Sequence, residues 1–393
     1  MIPLIKSTFY KEIDTKRRLC RFIKKADKLS IGKECRRFEE KFAAYQGRKY
    51  CVFVNSGSSA NLALIQALLN MGMLKKGDLV GFSALTWSTN VMPLIQLGLV
   101  PIPIDVELDT LNVSSKLLLT AIKQHSIKLL FLTDLLGFCD DIDEIATICK
   151  TKGILLLEDA CESLGSVYKS KKLGNWGIAS TFSFYVGHHM STIEGGAVVT
   201  DSEELYTGLQ LVRAHGWDRN LTEQKQLMIR TAHGVNETFY SRYTFYDLGY
   251  NFRVTEIQGL LGNCQLAYLP VIVKKRERNF FYLAKRIYER DDIYLPIRYT
   301  HLDICSNFAV PVVCRSRRIR DTLVARCDGK VEIRPIVGGD MTSQPFFKKY
   351  FPQHTDTPCP NALFIHEQGL YFGNNPELTG KELDEIVKIF TKL

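Results

Sequence analysis

Between residues 50 and 200 the chain alternates short, almost wholly apolar runs with amphipathic stretches. That texture belongs to parallel strands joined by helices. KYCVFVNSG (49–57) reads as a strand and a turn. ANLALIQALLNMG follows as a helix with apolar positions at 62, 64, 65, 68 and 69. LVGFSAL (79–85) and VPIPIDV (100–106) are further short strands. The clearest unit is KLLFLTDLLG, DDIDEIATICKTKG, ILLLEDACES (128–163). Its middle piece gathers Ile142, Ile145, Ala146 and Cys149 on one helical face, and Gly153 ends it. Both flanking strands are apolar throughout, as in strands covered on two faces. A strand–helix–strand crossover in a parallel sheet is predicted here.

Beyond residue 265 the pattern changes. VIVKKRERNFFYLAKRIYER reads as a long amphipathic helix leading away from the first unit, followed by short strands in SNFAVPVVC and KVEIRPIV. ELTGKELDEIVKIFTKL closes the chain as a helix starting at Thr379 or Gly380. A large unit over 1–265 and a smaller α+β unit over 266–393 are expected.

Composition narrows the class. A chain of 393 residues with 46% hydrophobic content has ordinary globular make-up. No apolar run is long enough to cross a bilayer and the start lacks a secretory core, so a cytoplasmic location is expected. Eleven cysteines are scattered singly without CxxC or CxC pairs, which argues for reduced thiols and against a metal or iron–sulfur site. The net charge of +9 comes in short basic knots (16–18, 24–25, 274–278, 315–320). Solvated helix faces explain these better than a nucleic-acid groove, and attraction of an anionic small substrate is a third reading.

Four stretches carry candidate chemistry. Asn55-Ser56-Gly57-Ser58-Ser59-Ala60 lies between strand and helix. Small residues, hydroxyls and a helix N-terminus suit a phosphate; an ordinary serine cap reads the same way. Asp159 ends an apolar strand, on the edge where open α/β sheets bind ligands; it serves there as a charge partner or as a helix cap. Trp87, after another strand, is either a stacking surface for a flat ring or core. In TFSFYVGHHMSTIEGG (181–196), His188 is a structural histidine or a general base. A metal pair with His189 is disfavoured, because adjacent residues of an extended chain point apart.

Taken in order, SGSSAN, a Trp after a strand, LLEDACES, TFSFY…HH…EGGAVVT, RAHGW and GYNFRVTEIQG resemble the DegT/DnrJ/EryC1/StrS nucleotide-sugar aminotransferases over roughly residues 8–390. The resemblance implies the aspartate-aminotransferase-like fold (fold type I): a mostly parallel seven-stranded sheet domain plus a smaller C-terminal domain. It also implies pyridoxal phosphate (PLP) and a homodimer with shared active sites. By position, Gly57, Ser58 and Ser183 would contact the cofactor phosphate, with Asn251 reaching in from the neighbouring subunit. Trp87 would stack on the pyridine ring, Asp159 would pair with its nitrogen, and Glu162 would sit beside its 3-hydroxyl.

One departure is decisive. Where the aminotransferases have the lysine that forms a Schiff base with the cofactor, this chain has His188, and no lysine occurs between Lys172 and Lys225. Imidazole forms no stable Schiff base, so the cofactor would be held non-covalently, as pyridoxamine phosphate (PMP). Histidine at this position marks the family's 3-dehydratase branch, which removes the 3-hydroxyl of nucleotide-linked 4-keto-6-deoxyhexoses in deoxysugar formation of the O-antigen type. The branch that carries a [2Fe–2S] cluster needs cysteines after RAHGW, and none occurs from 162 to 263. The cluster-free type is implied, with a GDP-linked sugar as substrate and L-glutamate restoring PMP as ammonia is released. His215, Arg219 and Arg334 are candidates for substrate or glutamate recognition, against surface ion pairing. The alternatives are a sugar 4-aminotransferase, a CDP- or dTDP-sugar dehydratase, and a non-catalytic binding homologue. No nucleic acid, membrane or metal partner is expected.

Overall fold

The apolar runs become strands. The computed structural model describes residues 1–235, 237–352 and 359–392. Its large sheet begins with β1 (Tyr50–Val54), β2 (Leu79–Ser83), β3 (Val100–Ile104), β4 (Ile127–Thr133) and β5 (Leu155–Asp159). A two-residue hairpin of β6 (Val167–Tyr168) and β7 (Lys171–Lys172) stands apart, and β8 (Ala179–Ser183) and β9 (Gly196–Thr200) complete the seven. The order is β1-β9-β8-β5-β4-β2-β3, parallel from β8 to β3, with β9 antiparallel to both neighbours. This is the mostly parallel seven-stranded sheet that the family resemblance implies.

Alternation along the strands assigns the two faces. Phe182 and Phe184 enter an aromatic cluster with Phe38, Phe42 and Phe53, leaving Ser183 between them. Emptying one of these sites to alanine would cost about 3–5 kcal/mol. The opposite face is covered by the helix Gly57–Asn70, whose Ala60, Ala63, Leu64, Ala67 and Leu68 pack on Val52, Val80, Phe131 and Leu157. The expected crossover helix is Ile142–Lys152, ended by Gly153 at φ 68°.

The helix Leu269–Ile287 leads to a three-stranded antiparallel sheet. Its strands are β10 (Ala309–Val313), β11 (Ile333–Pro335) and β12 (Gly369–Gly373), with β12 in the middle. The sequence reading passed over β12, because GLYFG carries no alternation. The closing helix Gly380–Thr391 starts where expected, with Thr379 and Glu382 forming a capping box. The N-terminal residues join this smaller unit: Ile2 bridges Val331, and Lys6 pairs with Glu382 at 2.6 Å. Among the described residues no helix is long and apolar enough to cross a membrane.

Candidate active site

Strand register brings the candidate residues together. Thr133 lies opposite Asp159, Asp159 opposite Thr181, and Ser183 opposite Gly196. The carboxyl ends of β4, β5 and β8 therefore share one edge, where a cavity of about 420 Å³ opens. Gly57, Ser58, Trp87, Asp159, Glu162, Ser183, His188 and Arg334 all line it.

One end is a cradle for an anion. Ser56 caps the helix Gly57–Asn70, its hydroxyl accepting the Ser59 N–H at 3.0 Å. A Cβ on Gly57 would stand 2.7 Å from the Ser183 Cβ, and one on Gly196 would stand 2.2 Å from the Ser56 carbonyl oxygen. Glycine at both places lets β9, β8 and the helix start converge, leaving the first N–H groups of the helix available to a phosphate.

Asp159 is 5% exposed and held from both sides. One carboxylate oxygen accepts from the side-chain amides of Asn61 at 2.9 Å and Asn90 at 2.7 Å; the other accepts from the Cys161 N–H at 3.0 Å. The Asn90 amide is fixed in turn by the Thr86 hydroxyl at 3.0 Å, itself 2.7 Å from the Thr133 hydroxyl. Such anchoring suits a carboxylate that pairs with a protonated ring nitrogen. Asn61 closes the SGSSAN stretch and Asn90 follows Trp87 by three residues, and the sequence pattern assigns neither a role.

Glu162 is buried, with one carboxylate oxygen accepting the Leu136 N–H at 3.0 Å. Burial, with repulsion from Asp159 added and that hydrogen bond opposing, pushes its carboxyl up to about 8. It is thus a proton donor at neutral pH. Trp87 is 52% exposed with its ring on the cavity, so the core reading of this residue does not hold.

His188 sits across the cavity. Its ring stacks on Phe308 at 5.1 Å, and Tyr185 meets it edge-on at 6.0 Å. Burial pushes the imidazole down to about 4, against the pull of Asp159, so it is neutral and basic at physiological pH. No lysine lines the cavity among the described residues. His189 is turned away and buried, its Nε2 3.1 Å from the Ser306 carbonyl oxygen.

Three candidates lie outside the cavity of their own chain. Asn251 is exposed and accepts from Arg253 at 2.8 Å. Arg219 lies between the rings of Trp217 and Tyr243, at 4.1 and 4.5 Å, and His215 meets the edge of Trp217. These residues pack with one another, and none of them lines the cavity. Arg334 does line the cavity, its guanidinium 2.5 Å from Glu332. Phe308, Tyr185 and Tyr371, also on the wall, carried no pattern that the sequence reading could use. Among the described residues no group of three or more His, Cys, Asp or Glu is placed to hold a metal ion.

The site and fold define a pyridoxal-phosphate aminotransferase-like chain, and comparison with known proteins places it. The model of the DegT/DnrJ/EryC1/StrS aminotransferase family matches residues 11–391, and the chain belongs to that family. It is 35% identical over 364 residues to GDP-4-keto-6-deoxy-D-mannose 3-dehydratase of Escherichia coli O55:H7, covering 92% of each chain. The solved E. coli GDP-4-keto-6-deoxy-D-mannose-3-dehydratase with bound hydrated PLP superposes with a TM-score of 0.90 at 32% identity, covering 99% of both chains. A GDP-4-keto-6-deoxymannose-3-dehydratase with a trapped PLP–glutamate geminal diamine aligns at TM-score 0.89 and 32% identity, over 99% of this chain and 100% of that one.

Proposed function

We propose that this chain is a PLP/PMP-dependent 3-dehydratase of a nucleotide-linked 4-keto-6-deoxyhexose, with GDP-4-keto-6-deoxy-D-mannose as substrate and L-glutamate as amine donor. The observation that carries this reading is a fold-type I cavity with His188, and no lysine, on its wall. The similar dehydratases and the glutamate adduct trapped in one of them support the choice of substrate and donor.

The residues present fit the cofactor. Gly57, Ser58 and Ser183 would hold its phosphate, Trp87 would cover one ring face, and Asp159 would pair with the ring nitrogen. Glu162, carrying a proton at neutral pH, would donate to the ring oxygen. When bound as PMP the cofactor supplies an amine for the sugar's keto carbon and a ring that accepts electrons.

His188 does the work that belongs to the chain. With the cofactor bound, its neutral imidazole would take a proton from the C4′ carbon and, as imidazolium, would return it to the departing 3-hydroxyl oxygen. Because an imidazole forms no lasting bond to the cofactor aldehyde, it remains available as base in both half-reactions. Phe308 fixes the plane of the ring. Arg334 would receive the glutamate carboxylate bidentately, exchanging its Glu332 partner.

The large unit, 1–265, would carry the cofactor and the small unit, 266–393, would close over it. Asn251, Arg219 and His215 would serve a second copy's cavity in a homodimer. The exposure of Asn251 and Arg219, beside Phe239 at 74%, Tyr243 at 70% and Leu248 at 70%, is the supporting observation.

Product analysis tests the reading. Protein, PLP, glutamate and GDP-4-keto-6-deoxymannose are expected to yield ammonia and a 3-deoxy-4-keto sugar. A product retaining nitrogen at carbon 4 would replace this reading with the aminotransferase one.

A further inference from the structure

A second chamber, of about 30 Å³, shares Leu4, Ile5, Gly187, His188 and Phe308 with the main cavity. The rest of its wall is different and includes His189, Arg276 and Ser191. Arg276 comes from the helix Leu269–Ile287 and is 5% exposed; His189 is 2% exposed. Arg276 forms no ion pair among the described residues. Its terminal nitrogens donate to three carbonyl oxygens: His188 at 3.1 Å, Phe308 at 3.4 Å, and Asn374. These bonds tie the turn carrying His188 to the strand start whose Phe308 ring covers the imidazole.

Three polar atoms here have no partner: Arg276 Nε, His189 Nδ1 and His188 Nδ1. Their donor and acceptor roles can be worked out. The Ser306 carbonyl only accepts, so His189 must donate from Nε2. Burial and the Arg276 charge keep that imidazole neutral, so its Nδ1 is a bare acceptor. Arg276 Nε only donates. A polar chamber of this size with two to four such partners is suited to an ordered water.

We propose that Arg276 and His189 are positioning residues for His188, holding one water in this chamber that accepts the His188 Nδ1–H and leaves its Nε2 bare toward the main cavity. The water's hydrogen bonds balance. Its two lone pairs accept from Arg276 Nε and His188 Nδ1, and one of its protons goes to His189 Nδ1. A histidine's tautomer is set by the bond its other nitrogen makes, so the chamber selects the form that acts as base. This rests on the reading of His188 as the base, and it gives His189 a purpose. Asp159, Glu162, Glu194 and Arg334 line His188's cavity side with Tyr185 and Tyr371, while Arg276, His189 and Tyr10 line the chamber.

Two readouts need no turnover, which separates failure here from failure of the dehydratase reading. A crystal structure that resolves waters should show one within hydrogen-bond distance of Arg276 Nε, His189 Nδ1 and His188 Nδ1. Nitrogen NMR of histidine-labelled protein, with His188 assigned through His188→Asn, should show a protonated Nδ1 and a bare Nε2. In His189→Leu the His188 tautomers should mix. Loss of deuterium from the C4′ carbon of labelled PMP should then slow about tenfold, with the sugar KM unchanged. Arg276→Lys, which keeps the charge but has no Nε–H, should behave likewise and carries the test if His189→Leu does not fold. A dry chamber, an Nε2–H His188 in the wild type, or unchanged tautomer and exchange in both variants would overturn the proposal.

Discussion

The wall of the main cavity and the segment from His215 to Arg253 carry motifs of equal prominence in the sequence, yet their surroundings are opposite. Asp159, Glu162, Ser183 and His188 converge on one space, the first three held by strand register or a buried hydrogen bond and His188 by its stack on Phe308. Arg219 and Asn251 are exposed beside exposed aromatic rings, with His215 half-buried against Trp217. The first region is assembled from a single chain's own residues. The second fits the proposed homodimer, as a surface that another copy would use.

The sharpest way to break that contrast is at the base. His188→Asn should lower dehydration about a thousandfold or more, measured as ammonia release, while leaving PLP affinity within a few-fold. An equal loss from a double variant of Arg219 and Asn251 to alanine, uncorrectable by any second chain, would erase the distinction between the regions.

Asp159→Asn comes next, with a loss of about a hundredfold, because a neutral amide no longer holds the ring nitrogen protonated. Absorbance of bound cofactor and turnover should fall together. Substituting Asn61 or Asn90 should give a weaker version of the same effect.

Mixing tests the second region directly. His188→Asn and the Arg219/Asn251 double variant, each nearly inactive alone, should regain about a quarter of wild-type activity when exchanged into mixed dimers. Half the dimers are then mixed, and each has one intact site. No recovery, with mixed dimers verified by mass, would place all these residues in one chain's site.

The smallest expected effect concerns Glu162. Its folded-state proton affinity is raised, from 4.5 to about 8. It contributes stability that is fully present below its ordinary value and is lost as pH rises toward 8. Chemical denaturation of the cofactor-free protein should show stability falling across that window by at most about 1.4 kcal/mol per pH unit from this group. Glu162→Gln should flatten the slope, and an unchanged slope would remove the buried proton from Glu162.

Sequence pattern carried far in the first region and less far elsewhere. Strands β1 to β5 were legible because a strand buried on both faces must be apolar, and Gly153 ended its helix as expected. The edge position of Asp159 followed from the crossover alone. Its role, and that of His188, needed the family resemblance, since a carboxylate at a strand end or a histidine in a turn is ambiguous by itself. Arg276, Phe308 and the central strand β12 were not legible. They come from the far end of the chain, and long-range packing leaves no local periodicity. The N-terminal residues were missed for the same reason, since nothing within 1–8 announces that Lys6 reaches Glu382.

The central claim is that His188 stands where a lysine would fix the cofactor to the chain. It is tested most directly by intact-mass measurement after incubation with PLP and reduction with borohydride, with His188→Lys alongside. Wild type is expected to stay at its unmodified mass while His188→Lys gains one reduced cofactor. A wild-type chain that gains the mass of one reduced cofactor would contradict the assignment.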